Sequence, residues 1–221
     1  MIPLRDSQPS YSKPYVTIAI IAANALVFLY ELTLDPYSLN NLIGTYGLIP
    51  SHLQWTSLVT SMFLHGGWMH LIGNMWFLWI YGDNVEDILG HGKFLLFYLL
   101  CGIAAALLQT SLSPDSRAPM VGASGAIAGV MGAYVVKFPR SRILTLVFFF
   151  FVTTVEIPAI IILLYWFALQ FFSGVGSLAY SRVSGGGVAW FAHVGGFVGG
   201  MLLIIALRPK ERFRQREELH W

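Results

Sequence analysis

Six apolar segments alternate with polar, charged or glycine- and proline-rich breaks along the chain. Because the hydrocarbon core of a bilayer is about 30 Å thick, a helix needs about 20 largely apolar residues to cross it. Six such segments with their connections account for most of the chain, so the pattern predicts a polytopic helical membrane protein. The segments are residues 15–34, 67–82, 93–112, 124–138, 157–174 and 189–207.

Residues 143–155 are also apolar, but three observations argue against a seventh span. The stretch has only 13 residues, which is short at a helical rise of 1.5 Å per residue. Glu156 follows directly, and Pro158 suits the start of a helix better than its middle. We therefore expect an interfacial or partly buried connection that leads into the fifth segment.

The distribution of basic residues sets the orientation that we expect. With six spans and a cytoplasmic N-terminus, 11 of the 13 Lys and Arg residues face the cytoplasm, and only Arg117 and Arg182 lie outside. A seventh span would move the five basic residues of the tail to the outside. We expect residues 1–14 to form a short cytoplasmic segment, 15–207 the six-span domain, and 208–221 a basic cytoplasmic tail at the anionic inner surface.

The connection between the first two spans, residues 35–66, is long and contains no Lys or Arg. It carries Trp55 and several other large apolar residues among polar ones, which is typical of a structure that lies in the outer membrane interface. The expected fold class is therefore an all-α polytopic membrane protein, a bundle of six transmembrane helices with a long external loop between spans 1 and 2.

Composition agrees with this fold and narrows the function. Hydrophobic residues make up 56% of the chain and charged residues 11%, whereas soluble domains carry about a quarter charged residues. The lone cysteine, Cys101, excludes a disulfide within the chain and is expected to be a small core residue. No spacing suggests a zinc knuckle or a nucleic-acid patch, so we expect the lipid bilayer as a partner, no nucleic acid, and no cofactor.

Two polar residues stand out at the same expected depth. Ser124 begins the fourth segment within Gly-Ala-Ser-Gly, and His193 lies near the start of the sixth within Ala-His-Val-Gly-Gly. Both segments enter from the outer side, so both residues should lie one or two turns below the outer surface. Ionisable groups are costly in hydrocarbon, and a serine with a histidine can form a nucleophilic site. This pair predicts hydrolysis within the bilayer.

A third element reaches the same depth. His70 and Asn74 open the second segment, and their spacing of four places them on one helix face. Both side chains can donate hydrogen bonds to a developing oxyanion, and the backbone N–H of Ser124 could add another. In this mechanism His193 accepts the Ser124 proton, Ser124 attacks a peptide carbonyl, and water later hydrolyses the acyl-enzyme.

The acidic residues do not complete a triad, because none lies within a span at this depth. We therefore expect a Ser124/His193 dyad whose imidazole is oriented by packing or by a neutral hydrogen bond. His65 is expected at the interface rather than in the reaction. A metal site formed by His65, His70 and His193 would lack a carboxylate ligand, so we expect no metal site. The simpler alternatives are a helix cap for Ser124 and a buried packing role for His193.

Glycines on the fourth and sixth segments predict close helix packing. Gly125, Gly129 and Gly132 recur at spacings of four and three, and Gly122 is grouped with them. The sixth segment has two G-x-x-x-G pairs, which are Gly195 with Gly199 and Gly196 with Gly200. Small residues at this spacing let helices approach closely in lipid, which would bring Ser124 to His193.

These motifs resemble those of the rhomboid intramembrane serine proteases. The resemblance rests on G-A-S-G at 122–125, A-H-V-G-G at 192–196, H-G-G-W-M-H-L-I-G-N at 65–74 and Y-G-D-N-V-E-D-I-L-G at 81–90. It implies Ser124 as nucleophile, His193 as base, and His70 and Asn74 as oxyanion partners. It also implies a water-filled site under a cap loop, here residues 174–187. The implied substrates are transmembrane helices with small residues at the cleaved bond and a helix-weakening segment nearby.

One position departs from the family. Some members carry a tyrosine four residues after the serine, against the histidine ring, and this chain has Ala128. Another group must then orient His193. The alternative function is a rhomboid-like non-catalytic protein that binds and escorts membrane helices. A transporter would need paired intramembrane charges or inverted repeats, which are not evident. The compact layout suggests a prokaryotic plasma membrane, with the active site open to the external side.

Overall fold

The computed structural model describes residues 1–148, 152–180, 189–207 and 209. The elements in these ranges are eight α-helices and three β-strands, with two short 3-10 turns at Pro50–His52 and Ser61–Phe63. The helices are α1 Tyr15–Glu31, α2 Pro36–Tyr46, α3 Ser57–Thr60, α4 Trp68–Leu89, α5 His91–Leu112, α6 Ser124–Lys137, α7 Ala159–Tyr180 and α8 Trp190–Ala206. The strands are β1 Ile2–Asp6, β2 Arg142–Phe148 and β3 Val152–Pro158.

The six long helices alternate in direction between two ends of the molecule. Successive residues of α6 meet successive residues of α8 in the same order, so these two helices run parallel. α5 and α7 meet them in reverse order. The pairs that show this are Gly125 with Ala192, Gly129 with Gly196, Ala105 with Gly125, Cys101 with Gly129, Gln170 with His193, and Phe167 with Phe197.

α6 is the central helix of the bundle. Eleven consecutive residues of it, from Gly125 to Val135, are buried, and its neighbours are α4, α5, α7 and α8. By length and composition, two described helices could cross a membrane, His91–Leu112 and Ala159–Ser177, while α1, α6 and α8 are apolar but shorter. A short central helix surrounded by others is consistent with a helix that contacts protein rather than lipid.

One end of the bundle carries a three-stranded antiparallel sheet in the order β1-β2-β3. The stretch expected to connect into the fifth span is therefore a hairpin, paired from Arg142 with Pro158 to Phe148 with Val152. The β-branched and aromatic residues of this stretch favour a strand. The prediction of a connection used the length of the stretch and the residues that follow it, but not this preference. The third strand comes from the N-terminal segment, so residues 2–6, 142–148 and 152–158 lie at one end of the bundle.

The N-terminal segment is fastened to the helices as well as to the sheet. The Trp76 indole N–H donates to the carbonyl of Pro3 at 2.6 Å, and the Tyr134 hydroxyl donates to Asp6 at 2.5 Å. Burial raises the pKa of Asp6 to about 7; Tyr134 lowers it, and the nearby Asp83 adds to the rise. The N-terminal segment is thus packed against the rest of the protein.

The connection between α1 and α4 is structured at the opposite end. Asp35 caps α2 by accepting hydrogen bonds from the backbone N–H groups of Tyr37 and Ser38, and the Ser38 hydroxyl holds the pKa of Asp35 below its ordinary value. Leu48 exchanges both backbone hydrogen bonds with Met120, at 2.9 and 2.8 Å. This bridge ties the 35–66 connection to the loop that precedes α6.

Two helices are longer than the apolar pattern predicts. α4 continues through the charged residues 83–89, where a break was expected, because the Glu86 carboxylate is fully buried and accepts hydrogen bonds from Thr17 of α1. α7 continues to Tyr180, so 174–180 of the expected cap loop are helical. Residues 181–187 of that loop, and the tail from 208 onward except Pro209, lie outside the described residues.

Candidate active site

Ser124 and His193 lie in contact near the N-terminal ends of α6 and α8. The Oγ atom of Ser124 is 2.8 Å from Nε2 of His193, a normal hydrogen-bond distance. The imidazole is nearly buried, with 9% of its residue surface exposed, and Ser124 is half-buried at the first residue of α6. The two residues that the sequence singles out are therefore adjacent, in the arrangement that a serine and its general base require.

The other imidazole nitrogen has a neutral partner. Nδ1 of His193 is 2.7 Å from Oε1 of Gln170, a buried residue of α7. The ring of Trp166, one turn earlier on α7, lies against the imidazole with the centroids 5.7 Å apart and the planes tilted by 41°. Neither residue was singled out from the sequence, because a lone glutamine in an apolar helix has no motif or spacing that identifies it.

Close contact between α6 and α8 brings the pair together. A Cβ atom on Gly196 would overlap the carbonyl oxygen of Gly125, and one on Gly200 would overlap that of Gly129. Only glycine permits this approach of the two backbones. Gly195 and Gly199 face α5 instead, against Leu108 and Ala104 respectively. The two G-x-x-x-G pairs of α8 thus pack on different neighbours.

Gly122 has a different place from the one expected. It precedes α6, with φ at +120°, in a region that side chains rarely adopt. A Cβ atom there would lie 2.5 Å from Nε2 of His70 and 3.4 Å from Nδ2 of Asn74. Gly122 therefore does not pack between helices; its missing side chain lets His70 and Asn74 approach the backbone two residues before Ser124.

His65 is buried rather than interfacial. It is 4% exposed, its Nε2 lies 3.0 Å from Nδ2 of Asn74, and its ring packs edge-on against His70. The backbone N–H of His65 donates to the carboxylate of Glu31, at 3.2 Å to one oxygen. Glu31 ends α1 and is itself buried. These two residues, which sequence analysis did not select, hold the segment that carries His70 and Asn74.

The arrangement can carry out nucleophilic chemistry on a carbonyl. A hydroxyl lies beside an imidazole nitrogen, and two side chains that can donate N–H groups, His70 and Asn74, lie against Gly122 just before the serine. The first-turn N–H groups of α6 have no partner within the helix and give this end a partial positive charge. Among the described residues no group of three or more His, Cys, Asp or Glu side chains could hold a metal ion. No carboxylate in the described part of the chain is hydrogen-bonded to His193.

Comparisons with known proteins agree with these motifs. A family model described as the rhomboid domain matches residues 52–210. The chain is 32% identical over 200 residues to rhomboid protease GluP of Bacillus subtilis (strain 168), an alignment that covers 88% of this chain and 35% of that protein. It is 30% identical over 182 residues to RHOMBOID-like protein 6, mitochondrial, of Arabidopsis thaliana, covering 77% and 51%.

A mammalian relative matches a shorter part of the chain. Presenilin-associated rhomboid-like protein, mitochondrial, of Mus musculus is 32% identical over 127 residues, covering 56% of this chain and 33% of that protein. The chain thus spans about a third to a half of the length of the relatives it matches. The residues that the rhomboid domain model matches, 52–210, include the serine, both expected oxyanion residues and the histidine.

Proposed function

This chain belongs to the rhomboid family of membrane proteins, and we propose that it is an intramembrane serine endopeptidase that uses Ser124 and His193. The observation that carries the proposal is the 2.8 Å contact between Ser124 Oγ and His193 Nε2 on two closely packed helices. A histidine nitrogen at this distance can accept the hydroxyl proton as the oxygen attacks.

Acylation follows from these positions. His193 Nε2 removes the hydroxyl proton while Ser124 Oγ bonds to the carbonyl carbon of the scissile peptide. The carbonyl electrons move onto oxygen, and the oxyanion points toward His70, Asn74 and the backbone N–H groups at the start of α6. When the tetrahedral intermediate collapses, the C–N bond breaks and the imidazolium gives its proton to the leaving amine. The product is an ester of Ser124.

Deacylation repeats the same proton transfers with water. His193 takes a proton from a water molecule, the hydroxide oxygen bonds to the ester carbonyl, and Ser124 regains its proton as the C–O bond breaks. Oriented donors of this kind lower barriers substantially; a single asparagine donor is worth about 3 kcal/mol in a soluble serine protease. The mechanism needs water at the site, and the half-buried Ser124 lies near one end of the bundle.

We propose transmembrane proteins as substrates, with small residues at the cleaved bond and a weakened helix nearby. The physical reason is that the carbonyl must be free of its helical hydrogen bond and close to Oγ before attack. A helix in lipid satisfies its backbone groups internally, so local unwinding must precede cleavage.

We further propose that the chain spans the membrane six times, with both termini cytoplasmic. The alternation of α1, α4, α5, α6, α7 and α8 between two ends supports this count, and so does the position of β1, β2 and β3 at one end. The sheet end carries Arg5, Lys137 and Arg142, which suits the cytoplasmic side. Ser124 then opens to the outer side. A prokaryotic plasma membrane fits the layout, although relatives with mitochondrial names share the domain.

The test is cleavage of a transmembrane-helix reporter in proteoliposomes by wild type, Ser124→Ala and His193→Ala. We expect cleavage by the wild type and its loss in both variants. Retention of the wild-type melting temperature by both variants would show that they remain folded. Mass spectrometry of the products should place the cut within or next to the transmembrane segment. Cleavage that survives Ser124→Ala would overturn the mechanism.

A non-catalytic escort of membrane helices makes the opposite prediction. Such a protein would bind the reporter without cutting it, and Ser124→Ala would bind as the wild type does. Absence of cleavage by the wild type on several reporters, together with reporter capture, would favour it. The contact between Ser124 and His193 favours the protease, because binding alone gives no reason for this pair.

A further inference from the structure

Gln170 lies at the one nitrogen of His193 that Ser124 does not contact. Its Oε1 is 2.7 Å from Nδ1, and both side chains are nearly buried, at 8% and 9% exposure. Because a carbonyl oxygen only accepts hydrogen bonds, Nδ1 must carry the proton in this contact. The lone pair of the neutral ring is then on Nε2, which faces Ser124.

The amide orientation of Gln170 therefore decides whether His193 can act as a base. In the opposite orientation the amide N–H would donate to Nδ1, the proton would move to Nε2, and the ring could not accept the serine proton. The oxygen-inward orientation also suits the imidazolium that forms during attack, because the imidazolium still donates from Nδ1. A neutral acceptor thus takes the place that a carboxylate has in a Ser-His-Asp triad.

The imidazole ring of His193 has a second contact on α7, the helix that carries Gln170. Trp166 packs on the imidazole from one turn before Gln170, with the ring centroids 5.7 Å apart. At the position where an aromatic residue of α6 could face the ring, four residues after the serine, the chain has Ala128. Apart from the hydrogen bond to Ser124, the described ring contacts of His193 come from Gln170 and Trp166 of α7 and from Trp190 of α8.

We propose that Gln170 is a positioning residue that fixes the tautomer and orientation of His193; the inference rests on the proposed function. Gln170 acts through the base and does not touch the substrate. Loss of its oxygen should lower the rate of the chemical step and leave substrate binding nearly unchanged. Loss of this hydrogen bond loosens the ring, and a wrong tautomer slows the reaction far more, so we expect a loss of about tenfold or greater in kcat.

The experiment measures kcat, KM and their pH dependence for reporter cleavage by wild type, Gln170→Met and Gln170→Glu. Methionine keeps the length and removes the acceptor, and glutamate keeps an oxygen at the same place. We expect Gln170→Met to lose kcat with KM within about twofold, and Gln170→Glu to retain clearly more activity. A carboxylate stabilises the imidazolium more than an amide does, so the acidic limb of the Gln170→Glu profile should move to higher pH.

A matched control is Gln109→Met. Gln109 is a half-buried glutamine of α5 whose Oε1 accepts the backbone N–H of Ala192 at 3.1 Å, one residue before the histidine. It makes the same kind of hydrogen bond beside the site without touching the ring. We expect this variant to retain a pH profile of the wild-type shape. Gln170→Leu repeats the test if the methionine variant does not fold.

Two results would overturn the inference. One is a folded Gln170→Met with kcat within twofold of the wild type. The other is equal loss in folded Gln170→Met and Gln170→Glu, because the oxygen would then not matter. Failure of the proposed function itself is recognised separately, by a wild type that does not cleave or by cleavage that survives Ser124→Ala.

Discussion

The contact between α6 and α8 yields a direct prediction for Gly196→Ala. Gly196 lies three residues after His193 on α8, and an added Cβ would overlap the carbonyl oxygen of Gly125, the residue after Ser124. The overlap is with backbone, so no side-chain rotation can relieve it. The change therefore acts directly on the separation of the two helices that carry the serine and the histidine.

The magnitude follows from the distances. A carbon and a carbonyl oxygen approach to about 3.3 Å, so α8 must withdraw from α6 by about 1 Å. The contact between Oγ and Nε2, which is 2.8 Å, would then exceed the length of a hydrogen bond. A misplacement of about 1 Å at a reacting centre can reduce the rate about 100-fold. We expect that loss in kcat, together with a lower melting temperature.

Two other glycines provide graded controls. Gly199→Ala, also on α8, would place a Cβ 3.2 Å from that of Ala104 on α5, which requires only a small adjustment. Gly73→Ala on α4 would meet nothing within 4 Å, and alanine favours a helix over glycine by about 1 kcal/mol. We expect the first to keep most activity and the second to be neutral or slightly stabilising.

The assay is reporter cleavage in proteoliposomes with a thermal unfolding curve for each variant. The predicted order of activity is wild type and Gly73→Ala, then Gly199→Ala, then Gly196→Ala far below. A folded Gly196→Ala that cleaves at the wild-type rate would refute the reasoning, because the close helix contact would then not set the distance between serine and base.

Three further predictions concern other parts of the molecule. Gly122→Ala should abolish cleavage in a folded protein, since its Cβ would lie 2.5 Å from Nε2 of His70 and its φ is +120°; normal turnover by this variant would contradict the oxyanion assignment. Asp6, with its pKa raised to about 7 by burial, binds more protons folded than unfolded, so stability should fall as pH rises from about 4 to 7. Asp6→Asn should flatten that part of a melting-temperature profile, and an unchanged slope would contradict it. Glu86→Gln should lower the melting temperature, because the buried carboxylate accepts the Thr17 N–H and hydroxyl at 2.8 and 2.7 Å and hydrogen bonds to charged groups are worth about 1.5–3 kcal/mol each; a thermal scan checks this.

The apolar pattern located the long helices because the thickness of the bilayer requires a long apolar run, and such a run can be recognised within a single segment of the sequence. It missed the ends of α4 and α7 for a physical reason. Charge in a sequence suggests contact with water, yet Glu86 is buried because Thr17 of α1, far away in the sequence, donates hydrogen bonds to its carboxylate. Partners distant in sequence cannot be identified from the segment itself. The same reason applies to the three-stranded sheet, because β1, the strand that pairs with β2, comes from residues 2–6 and is distant from the β2–β3 hairpin in the sequence.

The residues of the candidate site also fall into those that the sequence identifies and those that it does not. Ser124, His193, His70 and Asn74 could be selected because short motifs surround them and their expected depths agree. Gln170 and His65 could not, because each has its role only through the residue it contacts, His193 Nδ1 in one case and Asn74 Nδ2 in the other. The lack of a carboxylate at the expected depth of His193 predicted that packing or a neutral hydrogen bond orients the imidazole, but it did not identify Gln170 as the partner.

The position of Gln170 on α7 has a consequence for how the site is assembled. Glycine contacts hold α8 against the central helix α6, which carries Ser124. The group that fixes the imidazole comes instead from α7, a helix with exposed residues such as Phe172. Substitutions that shift α7 should therefore reduce kcat through His193 even where they leave the contact between α6 and α8 intact. Gly174 is such a site, because an added Cβ would lie 3.1 Å from the ring of Phe191 on α8. The adjustment is as small as the one at Gly199, so we expect Gly174→Ala to lose less kcat than Gln170→Met; a larger loss in Gly174→Ala than in Gln170→Met, measured on the same reporter, would contradict this order.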